Sequence, residues 1–175
     1  DFTVLREQLD HLQSIYEANQ QKFRELKGDT NERVENRNEK LYYSIRDMYN
    51  GKIPSKYLDG VLYYFINKTA YSGMIRYNQN GEYNVPFGHY PNFNTKIITD
   101  EHSALLQRAQ IHHLDYAEIF QMARTNDFMF LDPPYDTTFS EYDKNRFDQN
   151  DQIRLANYLI NNCKCKFMLV IKKTD

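Results

Sequence analysis

The chain has 175 residues, 41% of them hydrophobic and 26% charged, with a formal net charge of −2. This length fits one domain or parts of two, and the composition favours a packed core over disorder. The short apolar stretches exclude a transmembrane helix, and the near-neutral charge provides no overall field that would attract nucleic acid. The only two cysteines, Cys163 and Cys165, lie one residue apart and fit a reducing cytoplasm.

The first part of the chain is predicted to be helical. Apolar residues recur every three or four positions from Phe2 to Leu26, and again within residues 41–49 and 57–71. The polar residues 31–40 are interpreted either as a loop or as the exposed start of a helix. Most tyrosines and phenylalanines of these segments are expected to pack in the core.

Residues 74–88 are predicted to form a β-hairpin. Two short alternating runs, 74–78 and 82–85, lie on either side of Asn80-Gly81, and Asn-Gly in this position is a strong hairpin signal. Helical spacing then returns from Thr99 to Ala123, which predicts a further helix.

The C-terminal part has the pattern of an α/β sheet. The apolar run Phe128–Leu131 stops at Asp132-Pro133-Pro134 and is typical of a buried parallel strand. An amphipathic helix over residues 148–161 and a second buried strand from Lys166 to Ile171 complete one βαβ unit. Because two strands do not complete a doubly wound sheet, we expect the chain to be an excerpt of a longer protein.

The sharpest chemical signal is Asp132-Pro133-Pro134-Tyr135, directly after the first predicted strand. Ligands of open α/β sheets bind beyond the carboxyl ends of strands. The Asp132 carboxylate and the Pro133 carbonyl can accept two N–H bonds from a planar amine, while Tyr135 stacks on its ring. Such acceptors would raise the electron density on the amine nitrogen as it attacks an electrophilic methyl group. A turn that carries a surface aromatic is the alternative.

These motifs carry a resemblance to a known family. The run Phe130–Tyr135 resembles the catalytic motif of the adenine-N6 DNA methyltransferases, and residues 71–88 resemble the target-recognition hairpin of the Dam-type subgroup. The order of the two, recognition region first, matches the α arrangement of that subgroup. Lys172–Asp175 also resembles the subgroup, so that the resemblance spans residues 41–175.

The fold class that this resemblance implies is α/β. A partial Rossmann-like sheet of an S-adenosylmethionine-dependent methyltransferase would follow a mostly helical target-recognition region with a β-hairpin. Residues 1–40 would be a helical connector from a preceding core, residues 41–125 the DNA target-recognition domain, and residues 126–175 part of the catalytic core.

The implied reaction is site-specific transfer of a methyl group from S-adenosylmethionine to N6 of an adenine flipped out of double-stranded DNA. It would belong to a type II restriction–modification system in the bacterial cytoplasm, beside a restriction endonuclease that acts on the same site. The implied catalytic residues are Asp132, Pro133, Pro134 and Tyr135, and Asp132 would also lie near the methyl donor.

The same resemblance implies how DNA is contacted. Tyr71 would wedge into the duplex, and Arg76 would bind O6 and N7 of a guanine next to the target adenine, as in a GATC-like site. Ser72 and His89 stand where Asn and Arg are usual in the subgroup. The implied DNA-binding residues are Tyr71, Ser72, Met74, Arg76, Asn78, Pro86, His89 and Tyr90.

The charge of this region also agrees with contact to DNA. Residues 40–96 hold seven Lys or Arg and three Asp or Glu, a local net charge of +4 that favours phosphate contacts.

One motif of the family has no counterpart here. The methyl donor is bound largely by a Phe-x-Gly-x-Gly loop, and no two of the six glycines are separated by one residue. We therefore expect a fragment that lacks the N-terminal donor-binding motif and has little or no methyltransferase activity of its own. No His or Cys spacing fits a metal site, so no metal is expected.

Three alternatives stay open at this point. The chain is either part of such an enzyme or a non-catalytic DNA-binding module derived from one. Methylation of another amine, such as cytosine N4 or an RNA adenine, is the third possibility. Residues 136–148 are interpreted either as a mobile loop that closes over the flipped base or as an ordinary exposed connection.

Overall fold

Six helices and two strands are formed in a computed structural model that describes residues 1–28, 34–96, 98–134 and 147–171. In chain order they are α1 (Phe2–Lys27), α2 (Arg37–Tyr49), α3 (Asp59–Thr69), a single 3₁₀ turn (Tyr71–Gly73), α4 (Asp100–Leu106), α5 (Tyr116–Met122), β1 (Phe128–Leu131), α6 (Gln149–Asn161) and β2 (Lys166–Leu169). The contacts divide the chain into two compact units, residues 1–109 and residues 110–175. The predicted boundaries at residues 40 and 125 stay sequence-based predictions.

Local capping sets where the first two helices begin. The Asp1 carboxylate accepts a hydrogen bond from the Thr3 amide at 2.9 Å, and the Asn36 side chain accepts one from the Asn38 amide at 3.0 Å. Both are standard N-cap interactions, which satisfy amides that have no partner inside the helix. The second cap shows that residues 37–40, at the end of the polar stretch, are the start of a helix.

The core of the first unit lies between α1, α2, α3 and the irregular segment that follows them. Tyr42 and Arg46 of α2 both donate to the Val85 carbonyl, at 2.8 and 3.2 Å, which ties the hairpin to that helix. The buried apolar residues are Leu9, Leu12, Tyr16, Tyr42, Ile45, Val61, Leu62, Phe65, Ile66, Ala70, Tyr83, Val85, Phe87 and Phe93. The predicted core role of the helix aromatics is confirmed for Tyr16, Tyr42 and Phe65.

The predicted hairpin is present but short. Tyr77 and Tyr83 form one antiparallel bridge, and the Asn78 amide donates to the Glu82 carbonyl at 2.8 Å. Gly81 closes the turn with a φ of +79°, a conformation that glycine adopts without a steric penalty.

The helical prediction from Thr99 to Ala123 is confirmed at both ends of that range and is wrong for residues 107–115. The structure has α4 and α5 there, with an irregular segment of residues 107–115 between them. The Asp115 carboxylate accepts from the Ala117 amide at 2.9 Å and so starts a new helix. A short polar side chain that caps a helix competes with continuation of the preceding one.

The second unit contains the predicted βαβ arrangement. β1 and β2 are parallel, with Phe128 opposite Lys166 and Leu131 opposite Leu169, and α6 lies between them in the sequence. The prediction that these strands are buried is wrong for this chain, because Phe128 and Phe130 are 61% and 63% exposed. A parallel strand is buried only when both faces of its sheet are covered, and the face that carries these two phenylalanines is open.

None of the helices in the described ranges combines the length and the apolar character needed to cross a bilayer.

Candidate functional site

The predicted catalytic motif follows the carboxyl end of β1. Leu131, the last residue of the strand, accepts a hydrogen bond from the Val170 amide at 2.9 Å, which holds the start of the motif against the other strand. The Pro134 carbonyl accepts from Gln152 Nε2 of α6 at 3.0 Å. Asp132 and Pro134 are exposed and Pro133 is half-buried. Tyr135 and residues 136–146 of the predicted lid or connection lie outside the described residues.

A pocket of about 660 Å³ opens beside this motif, within the second unit. Asp132, Pro133 and Pro134 form one wall with Phe130 and Leu131. Aromatic side chains form much of the rest, namely Tyr116, Phe120 and Phe147. Apolar walls with a few polar groups, at this volume, are typical of sites that bind a small molecule or a single planar group.

Arg154 connects the charged groups at this pocket. It donates to Asp115 at 2.9 Å and to Asp151 at 3.3 Å, and its guanidinium lies 4.5 Å from the centre of the Tyr116 ring. The Ala117 amide and then Arg154 hold the pKa of the Asp115 carboxyl below its ordinary value. Asp132 lines the pocket and forms no ion pair with any residue of the described ranges, so its carboxylate is available to accept hydrogen bonds from a ligand.

Two segments of the first unit that are far apart in the sequence pair next to Tyr71, the residue predicted to wedge into the duplex. Ala70 and Phe87 form an antiparallel bridge, and the Tyr71 amide donates to the Pro86 carbonyl at 2.9 Å. The structure therefore brings Tyr71 next to residues 86–90, as the prediction of a common DNA surface requires. The Tyr71 side chain is 58% exposed.

The backbone after Tyr71 is held in an unusual conformation. Ser72 has a φ of +53° and Gly73 a φ of +59°. The left-handed region is uncommon for a residue other than glycine, and such strain persists only where its surroundings hold it. Two bonds do so here: the Ser72 amide donates to the Tyr90 hydroxyl at 3.1 Å, and Asn67 Nδ2 donates to the Gly73 carbonyl at 3.1 Å.

The hairpin presents Met74, Ile75 and Arg76 to solvent. Tyr83 donates its hydroxyl hydrogen to the Met74 carbonyl at 2.7 Å and fixes the start of this run. Ile75 is 58% exposed, although the sequence analysis did not include it among the candidates. Its place beside Arg76 on a predicted hairpin is the signal that could have identified it.

Asn78 and His89, two more of the predicted DNA-binding residues, also have partners within the first unit. The Asn78 side chain accepts from the amides of Asn80 and Glu82, at 2.9 and 3.0 Å, and donates to the Glu82 carboxylate at 2.9 Å. These bonds close the hairpin turn. His89 has a φ of +56°, is exposed, and packs edge-on against Phe87 with ring centres 4.8 Å apart.

Within the described ranges, no group of three or more His, Cys, Asp or Glu side chains is placed to hold a metal ion.

Comparison with known proteins identifies a family and several relatives. Residues 6–175 match the family model described as "D12 class N6 adenine-specific DNA methyltransferase". The type II methyltransferase M.CviBI of Paramecium bursaria Chlorella virus NC1A is 37% identical over 140 residues, which are 78% of this chain and 52% of that protein.

Two further relatives extend the comparison. The retron Ec67 DNA adenine methylase of Escherichia coli is 35% identical over 69% of this chain and 43% of its own length. A DNA adenine methylase of Vibrio cholerae is 32% identical over 70% of this chain and 46% of its own length. The chain thus spans about half the length of the curated relatives that it matches.

Proposed function

Because the chain belongs to the D12 class N6 adenine-specific DNA methyltransferase family, we propose that it carries the catalytic motif and the target-recognition surface of an enzyme that methylates adenine N6 in double-stranded DNA. The observation that carries this proposal is the position of Asp132-Pro133-Pro134 at the carboxyl end of β1, on the wall of a pocket of about 660 Å³. The Dam-type arrangement and a role in restriction–modification, beside an endonuclease for the same site, are part of the proposal. The name "type II methyltransferase" of one relative supports the role in restriction–modification.

In this proposal the pocket receives the amine of the target base. Asp132 and the Pro133 carbonyl accept its two N–H bonds, and Tyr135 stacks on its ring. These acceptors increase the electron density on the nitrogen and stabilise the positive charge that develops there during methylation. The base must leave the duplex to reach them, because N6 is otherwise held in the base stack.

S-adenosylmethionine supplies the methyl group in this proposal. Asp132 lines the pocket that we propose for the reacting amine. Since the methyl group must reach that amine, Asp132 is also the residue of this chain that we expect to lie near the donor. The motif that would bind the rest of the donor has no counterpart among the six glycines.

The first unit supplies the proposed DNA surface. Tyr71, Met74, Arg76 and Tyr90 are exposed there, and Ser72, Asn78, Pro86 and His89 complete the proposed set. We propose that Tyr71 enters the duplex and that Arg76 binds a guanine edge.

A second candidate is DNA binding without methylation. It is favoured by the first unit, which has a buried core of its own that includes Tyr42, Phe65 and Tyr83 and carries the proposed DNA surface. The two candidates differ in whether the pocket of the second unit takes up the adenine amine.

Binding of the 175-residue chain to matched duplexes tests this difference. One duplex carries an adenine opposite an abasic position within a GATC sequence, and the other carries purine, which lacks the amine, at the same position. We expect the chain to prefer adenine by at least about tenfold, since a carboxylate then gains a hydrogen bond. Asp132→Ala should remove the preference, and Asp151→Ala should keep it. Equal affinity for both duplexes in the unsubstituted chain would contradict the proposal and support binding alone.

A further inference from the structure

Among the residues that the structure describes, one neighbour across the hairpin, Asn84, accepts the hydrogen bonds of the Arg76 side chain. Its Nε donates to Asn84 Oδ1 at 2.7 Å, and its Nη2 donates to the Asn84 carbonyl at 3.2 Å. Both bonds come from one edge of the guanidinium. Of the five N–H donors of an arginine, three therefore remain for a ligand, including both on Nη1.

Asn84 is a rigid platform for this contact. Its amide donates to the Arg76 carbonyl at 3.1 Å, and its two chain neighbours, Tyr83 and Val85, are buried. The Tyr83 amide donates to Oδ1 of Asn50, the residue that follows α2, at 2.8 Å, and the Val85 carbonyl accepts from Tyr42 of α2. Both neighbours are therefore bonded to α2 or to its C-terminal cap. Since successive side chains of an extended segment point to opposite faces, the buried neighbours fix the direction of Asn84.

The contact with Asn84 leaves the positive charge of Arg76 available for a ligand. Within the described part of the chain, no carboxylate lies within ion-pair distance of Arg76. A neutral amide orients the guanidinium without neutralising it. A side chain that is held before binding loses less conformational entropy when it binds, and this raises affinity and selectivity.

From this geometry we propose that Asn84 is a positioning residue that sets guanine selectivity, by aiming the free edge of the Arg76 guanidinium at a base. The inference rests on the proposed function, in which Arg76 reads guanine. Two donors on one planar edge match the O6 and N7 acceptors of guanine in the major groove.

Two substitutions of Asn84 separate its role in positioning the Arg76 side chain from an effect of charge. Asn84→Ala removes the side-chain acceptor, whereas Asn84→Asp keeps an acceptor at the same position and adds a negative charge. Asn80→Ala is the matched control, because Asn80 is an exposed asparagine of the same hairpin, at its turn. Arg76→Ala removes the proposed reader itself.

The first measurement is the ratio of affinities of the 175-residue chain for two duplexes, one with a GATC sequence and one with AATC. We expect the chain to prefer guanine by at least about fivefold, the lower limit for a bidentate base contact. Asn84→Ala and Arg76→Ala should bring the ratio near one. Asn84→Asp should keep the ratio while weakening binding to both duplexes, and Asn80→Ala should change neither.

The second measurement needs no DNA. The Nε–H proton of Arg76, observed by ¹⁵N NMR, should exchange with water more slowly than that of the exposed Arg108. This protection should be lost in Asn84→Ala and kept in Asn84→Asp.

The outcomes distinguish this inference from the function on which it rests. A ratio that persists in Asn84→Ala but is lost in Arg76→Ala overturns the positioning role alone. Fast exchange at Arg76 in the unsubstituted chain also overturns it. Equal binding of both duplexes by the unsubstituted chain overturns the guanine-reading role and the inference with it.

Discussion

Gly88 shows how a single residue shapes the proposed DNA surface. Its amide donates to the Thr69 carbonyl at 2.8 Å, and its Cα faces both Ala70 and Tyr90. A Cβ at this position would lie 2.6 Å from the Tyr90 ring and 2.7 Å from the Ala70 carbonyl oxygen. Since the Tyr90 hydroxyl accepts from the strained Ser72 backbone, the close approach at Gly88 lets that support form.

We therefore predict that Gly88→Ala lowers the free energy of unfolding by about 1–3 kcal/mol, the usual cost of forcing extra volume into a packed site. Gly60→Ala is the matched control, because no atom lies within 4 Å of the Cβ that it would add. Gly60 lies in α3, so alanine there should be neutral or stabilising by up to about 1 kcal/mol. Urea unfolding of both variants measures the two effects, and equal stability of Gly88→Ala and the unsubstituted chain would show that the site can relax.

At the scale of elements, Tyr16 links α1 to the segment that carries Tyr90. Its ring is fully buried, and its hydroxyl donates to the Tyr90 carbonyl at 2.5 Å. Burial raises the pKa of Tyr16 to about 12, because the charged form is poorly solvated there.

This pKa predicts a loss of stability in alkali. The folded chain keeps the Tyr16 proton to a higher pH than the unfolded chain, whose tyrosines titrate near 10. Stability from this group is therefore complete below about pH 10 and falls as the pH rises towards 12. Tyr16→Phe should be less stable near neutral pH by about 1 kcal/mol, from the lost hydrogen bond, and should lose less stability in alkali. Parallel profiles of unfolding free energy against pH for the two proteins would contradict this account.

Elements with a strong local pattern could be predicted from the sequence. The apolar spacing of α1 and the run of β1 specify their structures locally, and both form where expected. The break between α4 and α5 was not predicted, because their apolar spacing is continuous and only the capping side chain of Asp115 starts the second helix. Burial of β1 depends on which elements cover the sheet, and the residues of the strand itself do not indicate this.

The candidate site was predictable to a similar extent. Asp132 could be placed at a strand end, because the motif and the strand adjoin in the sequence. The contact of Arg154 with Asp115 joins residues 39 positions apart, and no local pattern indicates it. The hydrogen bond from Arg76 to Asn84 depends on the register of the hairpin, which only the structure defines.

For the whole molecule, the two units differ in how much apolar surface they bury. Among the described residues, the first unit has a core of fourteen buried apolar residues. In the second unit, the buried apolar residues of the described ranges are Phe120 and Leu155, while Phe128 and Phe130 are open. The proposed DNA surface therefore lies on a packed core of its own, and the proposed catalytic motif lies on a small sheet with an uncovered face. This chain matches only about half of the length of the relatives named above. Methyl transfer is therefore best tested within one of those longer proteins.

The most direct measurement is the N6-methyladenine content of plasmid DNA from cells that have no adenine methylase of their own. These cells would express a chimera in which this chain replaces the matching segment of the retron Ec67 DNA adenine methylase. We predict that the chimera produces N6-methyladenine and that Asp132→Ala lowers it by at least about a hundredfold, since the lost acceptors act on the developing charge. Asp151→Ala should retain most of it. Methylation that persists in a folded Asp132→Ala chimera would contradict the central claim.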